Sequence, residues 1–350
     1  MSSESSNSLV SIVILNYNAG DLLIDCVQSV LNTSYDNIEV IVVDNASKDQ
    51  SHIRCKEKFD VIKLIKNKEN LGYCEGNNVG LRQVEGEFVV ILNPDTIVSP
   101  NWITELIKTY KKNGEGLYQP KILSLYEKSV IQSTGNMLHI FGFGFARDKG
   151  VNDIHQRKEI EQIGYASGTC LFTSQSVLKK IGLFDSFLFL YHDDLDLGWR
   201  AAQIGIKSYF VPTSTIYHVE SYSLRWSSRK FFWLERNRRY CLLTHYSKDT
   251  YKKMSFCLFL VELMVWMFYL SKGFLGAKIK AELDIIKNRN IISQKYQEIE
   301  SKKTVSDKEL IKNFPDEVFV PKNVSGEIGS RTFNSILAKL SKKAKDRILQ

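Results

Sequence analysis

No CxxC pair occurs among the six cysteines, at positions 26, 55, 74, 170, 241 and 257. Their scatter argues against a zinc site or a disulfide scaffold and fits a reducing compartment. The chain also lacks GxGxxG and GxxxxGK followed by Ser or Thr, which argues against the dinucleotide and P-loop grips on phosphate. Its first residues, MSSESSNS, contain no basic stretch, and the apolar VSIVIL behind them is too short for a signal peptide. The main domain is therefore expected in the cytoplasm. No run of twenty apolar residues is present. The longest candidate, FCLFLVELMVWMFYL (256–270), has 15 residues and carries Glu262 at its middle. No internal repeat is visible.

What is present is a chain of 350 residues, 43% apolar and 25% charged, enough for one large core plus an appendage. The net charge of +8 conceals an asymmetry. Residues 1–224 hold 21 basic against 26 acidic side chains, and residues 225–350 hold 26 against 13. Only the tail is built to meet polyanions.

Strand and helix signals alternate through the first hundred residues. LVSIVIL (9–15), IEVIVV (38–43), VIKLI (61–65) and FVVIL (88–92) read as strands, with helical spacing in DLLIDCVQSVLN (21–32) and EGNNVGLRQV (75–84) between them. Such alternation predicts an α/β fold, a mostly parallel sheet flanked by helices, with a basic helical extension behind it. Residues 141–150, FGFGFARDKG, read as a mobile glycine-rich loop. The expected organisation is a disordered 1–8, a main domain over 9–245 divided near residue 100, amphipathic helices over 246–300, and an irregular basic tail over 301–350 ending in a short helix.

Each front-half strand ends in polar residues: Asn16 to Asn18, Asp44-Asn45, Asn67 to Asn70, and Asn93-Pro94-Asp95. In an open parallel sheet these carboxyl ends share one edge, where ligands bind. Asp and Asn also cap ordinary turns, which accounts for any one of them alone. Four strands ending alike point instead to a polar ligand with many hydroxyls. Without a phosphate loop, a phosphate ligand there needs a metal, and Mg²⁺ is commonly held by one or two carboxylates plus substrate oxygens.

In order and spacing, VSIVILNYN, IEVIVVDNASKD, NLGYCEGNNVGL, VVILNPDT and YHDDLDLGWR resemble the family 2 glycosyltransferases of GT-A fold, in their rhamnosyltransferase-like branch. The resemblance covers residues 8–245. It implies a Rossmann-like nucleotide-diphospho-sugar transferase that moves a sugar, with inversion, from a nucleoside diphosphate to an acceptor hydroxyl. It places Asn16, Asn18, Asp44, Asn45, Asn70, Gly72, Asn77, Asn93 and Asp95 around the nucleotide sugar, 9–100 being the nucleotide-sugar half and 101–245 the acceptor half. Asp95 is the last acid of a DXD-type metal motif whose first acid is here Asn93, a weaker neutral ligand. A divalent metal, Mg²⁺ or Mn²⁺, is implied as cofactor.

By the same resemblance Asp194 is the catalytic base, with Asp193 second to it, and Ser167, Gly168 and Trp199 border the acceptor, with packing rather than sugar stacking the favoured reading of Trp199. Acids in a first helical turn also cap free N–H groups and offset the dipole, a reading that suits Asp196. Two adjacent carboxylates repel, however, and a purely structural cap rarely uses both. His218 is expected at the metal beside Asp95, where imidazole favours Mn²⁺, or else at a strand end without a ligand. In RKFFWLERNRRYCL (229–242), five basic residues fall within eleven positions. Their helical spacing fits diphosphate or lipid headgroups better than nucleic acid, and Arg236 and Arg239 are expected on the diphosphate, a solvated helix face being the competing reading. Segment 256–270 reads as an interfacial helix held to anionic lipid by the basic tail, with a packed core helix and a single span as the rival readings. Peripheral attachment at the inner face of the membrane suits a polyprenyl-linked or glycan acceptor in surface polysaccharide assembly. Two other functions compete: a non-catalytic nucleotide-sugar or glycan binder, and a sugar-nucleotide nucleotidyltransferase. The second wants a glycine- and basic-rich loop after the first strand, where NYNAGDLL stands.

Overall fold

The computed structural model describes residues 7–153, 157–219, 227–319 and 322–350, with 322–328 described by backbone alone. Among them lie strands β1 (Val10–Asn16), β2 (Ile38–Asp44), β3 (Lys63–Lys66), β4 (Phe88–Leu92), β5 (Thr96–Val98), β6 (Gly116–Ser124), β7 (Ile131–Ser133), β8 (Asn136–Leu138), β9 (Gly144–Ala146), β10 (Glu161–Ile163), β11 (Cys170–Ser174) and β12 (Lys207–His218). The helices are α1 (Asp21–Leu31), α2 (Ser51–Lys58), α3 (Gly72–Leu81), α4 (Trp102–Asn113), α5 (Gln175–Ile181) and α6 (Asp193–Gln203). The later helices are α7 (Ser228–His245), α8 (Lys248–Ser271), α9 (Leu275–Lys287), α10 (Arg289–Lys302), α11 (Asp307–Ile311) and α12 (Lys322–Leu349).

The main sheet runs β10-β12-β6-β11-β4-β1-β2-β3. β4, β1, β2 and β3 are parallel neighbours, as are β12 and β6, while β11 runs antiparallel between β4 and β6. The continuous apolar runs are covered on both faces: β1, β4 and β11 are buried along their whole length. Alternate side chains feed two cores. Ile12, Ile14, Val90 and Leu92 join Leu23, Val27, Trp102 and Leu106 of α1 and α4. Val13, Leu15, Val89 and Ile91 join Leu81, Trp199 and Leu242 on the other side. Each such burial is worth roughly 1.5–3 kcal/mol, and a one-residue slip would exchange the two sets, so the register is firmly set. α3 lies directly on β1. A Cβ on Gly80 would come within 2.5 Å of the Val13 side chain, which is why the helix carries glycine there.

This topology carries the strand exits to one edge. β5 follows the turn at Pro94 and pairs with the end of β12 in the register His218↔Thr96. The backbone N–H of Val219 also donates to the Asp95 carbonyl at 3.0 Å. Residues more than a hundred positions apart thereby become neighbours.

Two segments differ from expectation. The glycine-rich stretch 141–150 contains β9, which forms a hairpin with β8 through Met137↔Phe145. A strand of three residues surrounded by glycine leaves no periodic signal. In the tail, α12 begins at Lys322 and is 28 residues long. Gly326 and Gly329 hide its helical spacing in sequence.

α9 packs on α7 and α12 on α8. A buried ion cluster locks α7, α8 and α9 together. Glu235 binds Arg238 and Lys278, and Glu262 takes Arg238, Arg239 at 3.5 Å and Lys278 at 2.9 Å. Burial raises the Glu262 carboxyl, but Arg238, Arg239 and Lys278 outweigh it and bring it down to about 2. By length and composition α8 is apolar enough to cross a membrane, though a third of that stretch is buried within the protein. Crossing would part Glu262 from its three cations.

Candidate functional site

A cleft of about 560 Å³ opens where β1, β2 and β4 end, walled on its far side by residues 189–195 and the start of α7. Asn93, Asp95, Ser167, Gly168, Asp193, Asp194 and His218 all line it. Asp95 and Asp194, ninety-nine positions apart, therefore face one space.

Asp95 and His218 form its first chemical centre. His218 Nε2 lies 3.3 Å from Asp95 Oδ1, and Asp95 Oδ1 is buried with no hydrogen-bond partner among the described residues. On its other side His218 Nδ1 is 2.7 Å from Gln132 Oε1, while Gln132 Nε2 donates to the His218 carbonyl at 2.8 Å. The amide oxygen only accepts, so Nδ1 carries the ring proton and Nε2 turns its lone pair toward the carboxylate. Two acceptors facing each other repel unless a cation or a second ring proton lies between them. The pair fits a divalent ion: adjacent corners of an octahedron with bonds of about 2.1 Å lie about 3.0 Å apart, close to the separation observed. Gln132 is the kind of outer partner that fixes a ligating imidazole.

Asp193 and Asp194 form the second. Asp194 Oδ2 accepts from Gly168 N–H at 3.0 Å and its Oδ1 from Leu195 N–H at 2.8 Å, while Asp193 Oδ1 accepts from Asp194 N–H at 2.9 Å. Burial first, then the neighbouring charge of Asp194, pushes the Asp193 carboxyl well up, and burial raises Asp194 as well. Asp194 stays partly exposed to the cleft, whereas Asp193 is buried. A carboxylate poised above its ordinary range is a stronger base at neutral pH.

The residues before this pair are strained. Phe189, Tyr191 and His192 have φ of 62°, 68° and 59°, each costing on the order of 1 kcal/mol or more. What holds them is α7. Arg236 Nη2 donates to the carbonyls of Phe187 and Leu188 at 2.8 and 2.9 Å, and Asn237 Nδ2 reaches those of Leu190 and Tyr191 at 2.8 and 2.7 Å. Arg236, expected on a diphosphate, is thus 3% exposed and serves the loop instead. Arg239 is likewise outside the cleft, occupied by Glu262 and Glu282 at 3.5 and 3.6 Å.

On the strand-exit side the amides form a lattice. Asn45 donates to Asn70 Oδ1 at 3.0 Å and to the Gly72 carbonyl at 2.9 Å, and receives Asn67 at 3.0 Å. Asn45, Asn70 and Gly72 line the cleft. A Cβ on Gly72, whose φ is +79°, would strike Phe189 at 2.5 Å. Asn16 and Asp44 stand behind this layer: Asn16 Nδ2 donates to Asp44 Oδ1 at 2.8 Å and to Ser51 at 2.9 Å, and Asp44 is only 2% exposed. Asn18 accepts from Lys48 N–H and steadies the same 45–50 turn without lining the cleft. Asn77 is fully buried in α3 and donates to the Tyr73 carbonyl. Trp199, expected beside an acceptor, is a core residue stacked on His245 at 4.5 Å.

Several lining residues had no signal of their own. Tyr73 hydroxyl donates to the Gly168 carbonyl at 2.6 Å, and Phe189 stacks on Trp233 at 5.0 Å to form the far wall. Among the described residues the cations at the cleft are Lys149, Arg229 and Lys230. Arg229 and Lys230 open the basic stretch singled out above, so the cluster was visible, but not which of its members face inward.

Residues 11–182 match the family model described as Glycosyl transferase family 2. Over 108 residues the chain is 35% identical to an uncharacterized glycosyltransferase of Haemophilus influenzae, covering 30% of this chain and 33% of that one. It is 27% identical to the low-salt glycan biosynthesis hexosyltransferase Agl10 of Haloferax volcanii, over 57% of this chain and 63% of the other. A third relative is the N-acetylglucosaminyl-diphospho-decaprenol L-rhamnosyltransferase of Mycobacterium tuberculosis, at 24% identity, 61% and 77%. The first two matches span less than two thirds of those relatives' lengths. Among solved structures, GalNAc-T7 with UDP, GalNAc and Mn²⁺ superposes with a TM-score of 0.59 at 18% identity, over 73% of this chain and 52% of that one. Residues 1–349 of S. aureus TarS give 0.50 at 16%, over 95% and 90%. The architecture is the GT-A fold.

Proposed function

Residues 11–182 belong to glycosyl transferase family 2, and on that premise we propose that the chain is an inverting glycosyltransferase using a nucleoside diphosphate sugar. The observation that carries this reading is the convergence of Asp95–His218 and Asp193–Asp194 on one cleft. Asp194 takes the proton of the acceptor hydroxyl. The freed oxygen forms a bond to the anomeric carbon as the bond from that carbon to the diphosphate breaks on the opposite face, and the nucleoside diphosphate leaves. The buried partner carboxyl Asp193 and the N–H of Gly168 hold Asp194 in place. Asp95 and His218 would hold a divalent cation, Mg²⁺ or Mn²⁺, which when bound supplies positive charge to the diphosphate. Arg229 and Lys230, at the cleft, add to it.

The amide lattice of Asn45 and Asn70 suits a ribose and sugar rich in hydroxyls. The named rhamnosyltransferase relative supports an L-rhamnosyl donor and a polyprenyl-diphosphate-linked acceptor, and the resemblance of Asn93-Pro94-Asp95 to rhamnosyl-type sequences points to a deoxythymidine diphosphate sugar. Such an acceptor requires work at a membrane surface, and the exposed apolar side chains of α8 and α9 support peripheral attachment there.

A panel of nucleoside diphosphate sugars assayed with Mn²⁺ and Mg²⁺ tests the reading, with divalent-dependent donor hydrolysis or transfer as the expected result. Its absence with every donor would sink the proposal. Asp194→Asn is expected to keep donor binding while losing turnover. A protein that binds donor but has no turnover to lose would instead be a binder, a reading that Asn93 in place of the usual first acid keeps open.

A further inference from the structure

A second concavity lies at the other end of α7, where the start of α8 meets the end of α9 and the start of α10. It is a groove of about 600 Å³ whose apolar lining is Leu243, Ile285, Ile286 and Ile292. Trp233 in the wall of the first cleft and Leu243 here are ten residues apart on α7, about 15 Å along its axis.

Three cations, Lys248, Lys252 and Arg289, stand around the groove. Among the described residues no carboxylate pairs with any of them, and Lys248 rests over the Tyr296 ring at 5.9 Å. The nearest acid in sequence, Asp249, is taken by Lys253 at 3.2 Å. Along α8, Lys248 and Lys252 are followed at three- and four-residue intervals by exposed Phe256, Phe259, Leu263 and Met267, all on one helical face. Lys343 and Arg347 of α12 lie over the Phe256 ring at 5.5 and 5.6 Å and add positive charge to that end. On α9 the stripe continues through Leu283 and Ile286, 59% and 62% exposed, and Ile286 belongs to both stripe and groove.

A small soluble anion would gain nothing from the apolar groove, and a neutral hydrocarbon nothing from the cations. Both together select a chain that bears a phosphate. We propose that this groove seats a single membrane lipid with a phosphate headgroup, its hydrocarbon along Leu243, Ile285, Ile286 and Ile292 and its phosphate among Lys248, Lys252 and Arg289. The site rests on the reading that the protein works at a membrane surface, but not on the transfer chemistry. Seating one lipid orients the apolar stripe flat against the bilayer.

The test uses the full chain with vesicles of phosphatidylcholine, with and without phosphatidylglycerol, and native mass spectrometry after mild detergent extraction. Ser293→Trp fills the groove from an exposed lining position. One phosphatidylglycerol should remain per wild-type chain and be lost from Ser293→Trp, with thermal stability and donor hydrolysis unchanged. Joint reversal of Lys248, Lys252 and Arg289 to Glu should weaken partition to the anionic vesicles by at least a factor of about a hundred, since loss of each cation near an anionic surface is worth about a factor of five and the added carboxylates repel it further. Equal lipid retention in Ser293→Trp overturns the proposal, as does partition that ignores the charge reversal or a lipid-independent dimer through this face. Lipid retained without any donor hydrolysis would count against the transferase reading alone.

Discussion

Asp193 and Asp194 set the most direct expectations. Both carboxyls are raised by burial, and Asp193 also by its neighbour's charge. The base must be unprotonated, so turnover should rise with pH along a limb displaced above the ordinary aspartate value of about 4, titrating as a pair. Stability runs the other way. A carboxyl raised in the fold contributes most below about pH 4 and loses that contribution as pH climbs through its own titration. Asp193→Asn should therefore raise the melting temperature at pH 8, while Asp194→Asn should cut turnover by about 10²–10⁴. A rising limb at the ordinary aspartate value, with no gain in stability, would show the pair to be solvated. At the other centre, His218→Ala should raise the divalent concentration needed for half-maximal donor hydrolysis. Gln132→Leu should do the same by freeing the imidazole tautomer, on the order of 10–100-fold. Titrating Mn²⁺ by calorimetry with a nucleoside diphosphate present reads this without turnover.

Among elements, α8 is the most informative. Glu262 sits at its middle with Arg238, Arg239 and Lys278 around it. Removing one partner from a mostly buried network leaves the others uncompensated, which costs about 3–5 kcal/mol when burial is complete. Because the Glu262 side chain keeps 15% exposure, the expected loss for Glu262→Ala is nearer 3 kcal/mol, measured by urea unfolding. Its carboxyl is held down near 2, so this stabilisation is present above the ordinary glutamate value and fades as pH falls toward 2. A neutral effect of Glu262→Ala at pH 7, falling below about 0.5 kcal/mol, would mean that α8 is not fixed to α7 and α9 in solution. The same cluster explains why an acid interrupts an otherwise apolar helix. It is the side of α8 turned to the protein, while Phe259, Leu263 and Met267 face out.

For the whole molecule, the alternation of strand and helix, the doubly covered β1 and β4, and the polar strand exits were legible because each is written in neighbouring residues. Period-2 and period-3.6 patterns and turn chemistry need no distant partner. Asp95 at a strand exit could be named on that footing, whereas the adjacent acids at the start of α6 were singled out by the family resemblance. Asn77, Arg236 and Arg239 could not be placed, since what decides them is remote. Arg236 is committed to the carbonyls of Phe187 and Leu188, and Arg239 to carboxylates of α8 and α9. Short strands such as β9 escaped for the opposite reason, having too few residues to show a period. The sequence by itself determined the layers and which carboxylates of the strand exits reach the edge of the sheet. Only the tertiary structure decided which cations of α7 open onto the cleft and which are spent inside, because a charge goes where its partners are, and those partners arrive from the far end of the chain.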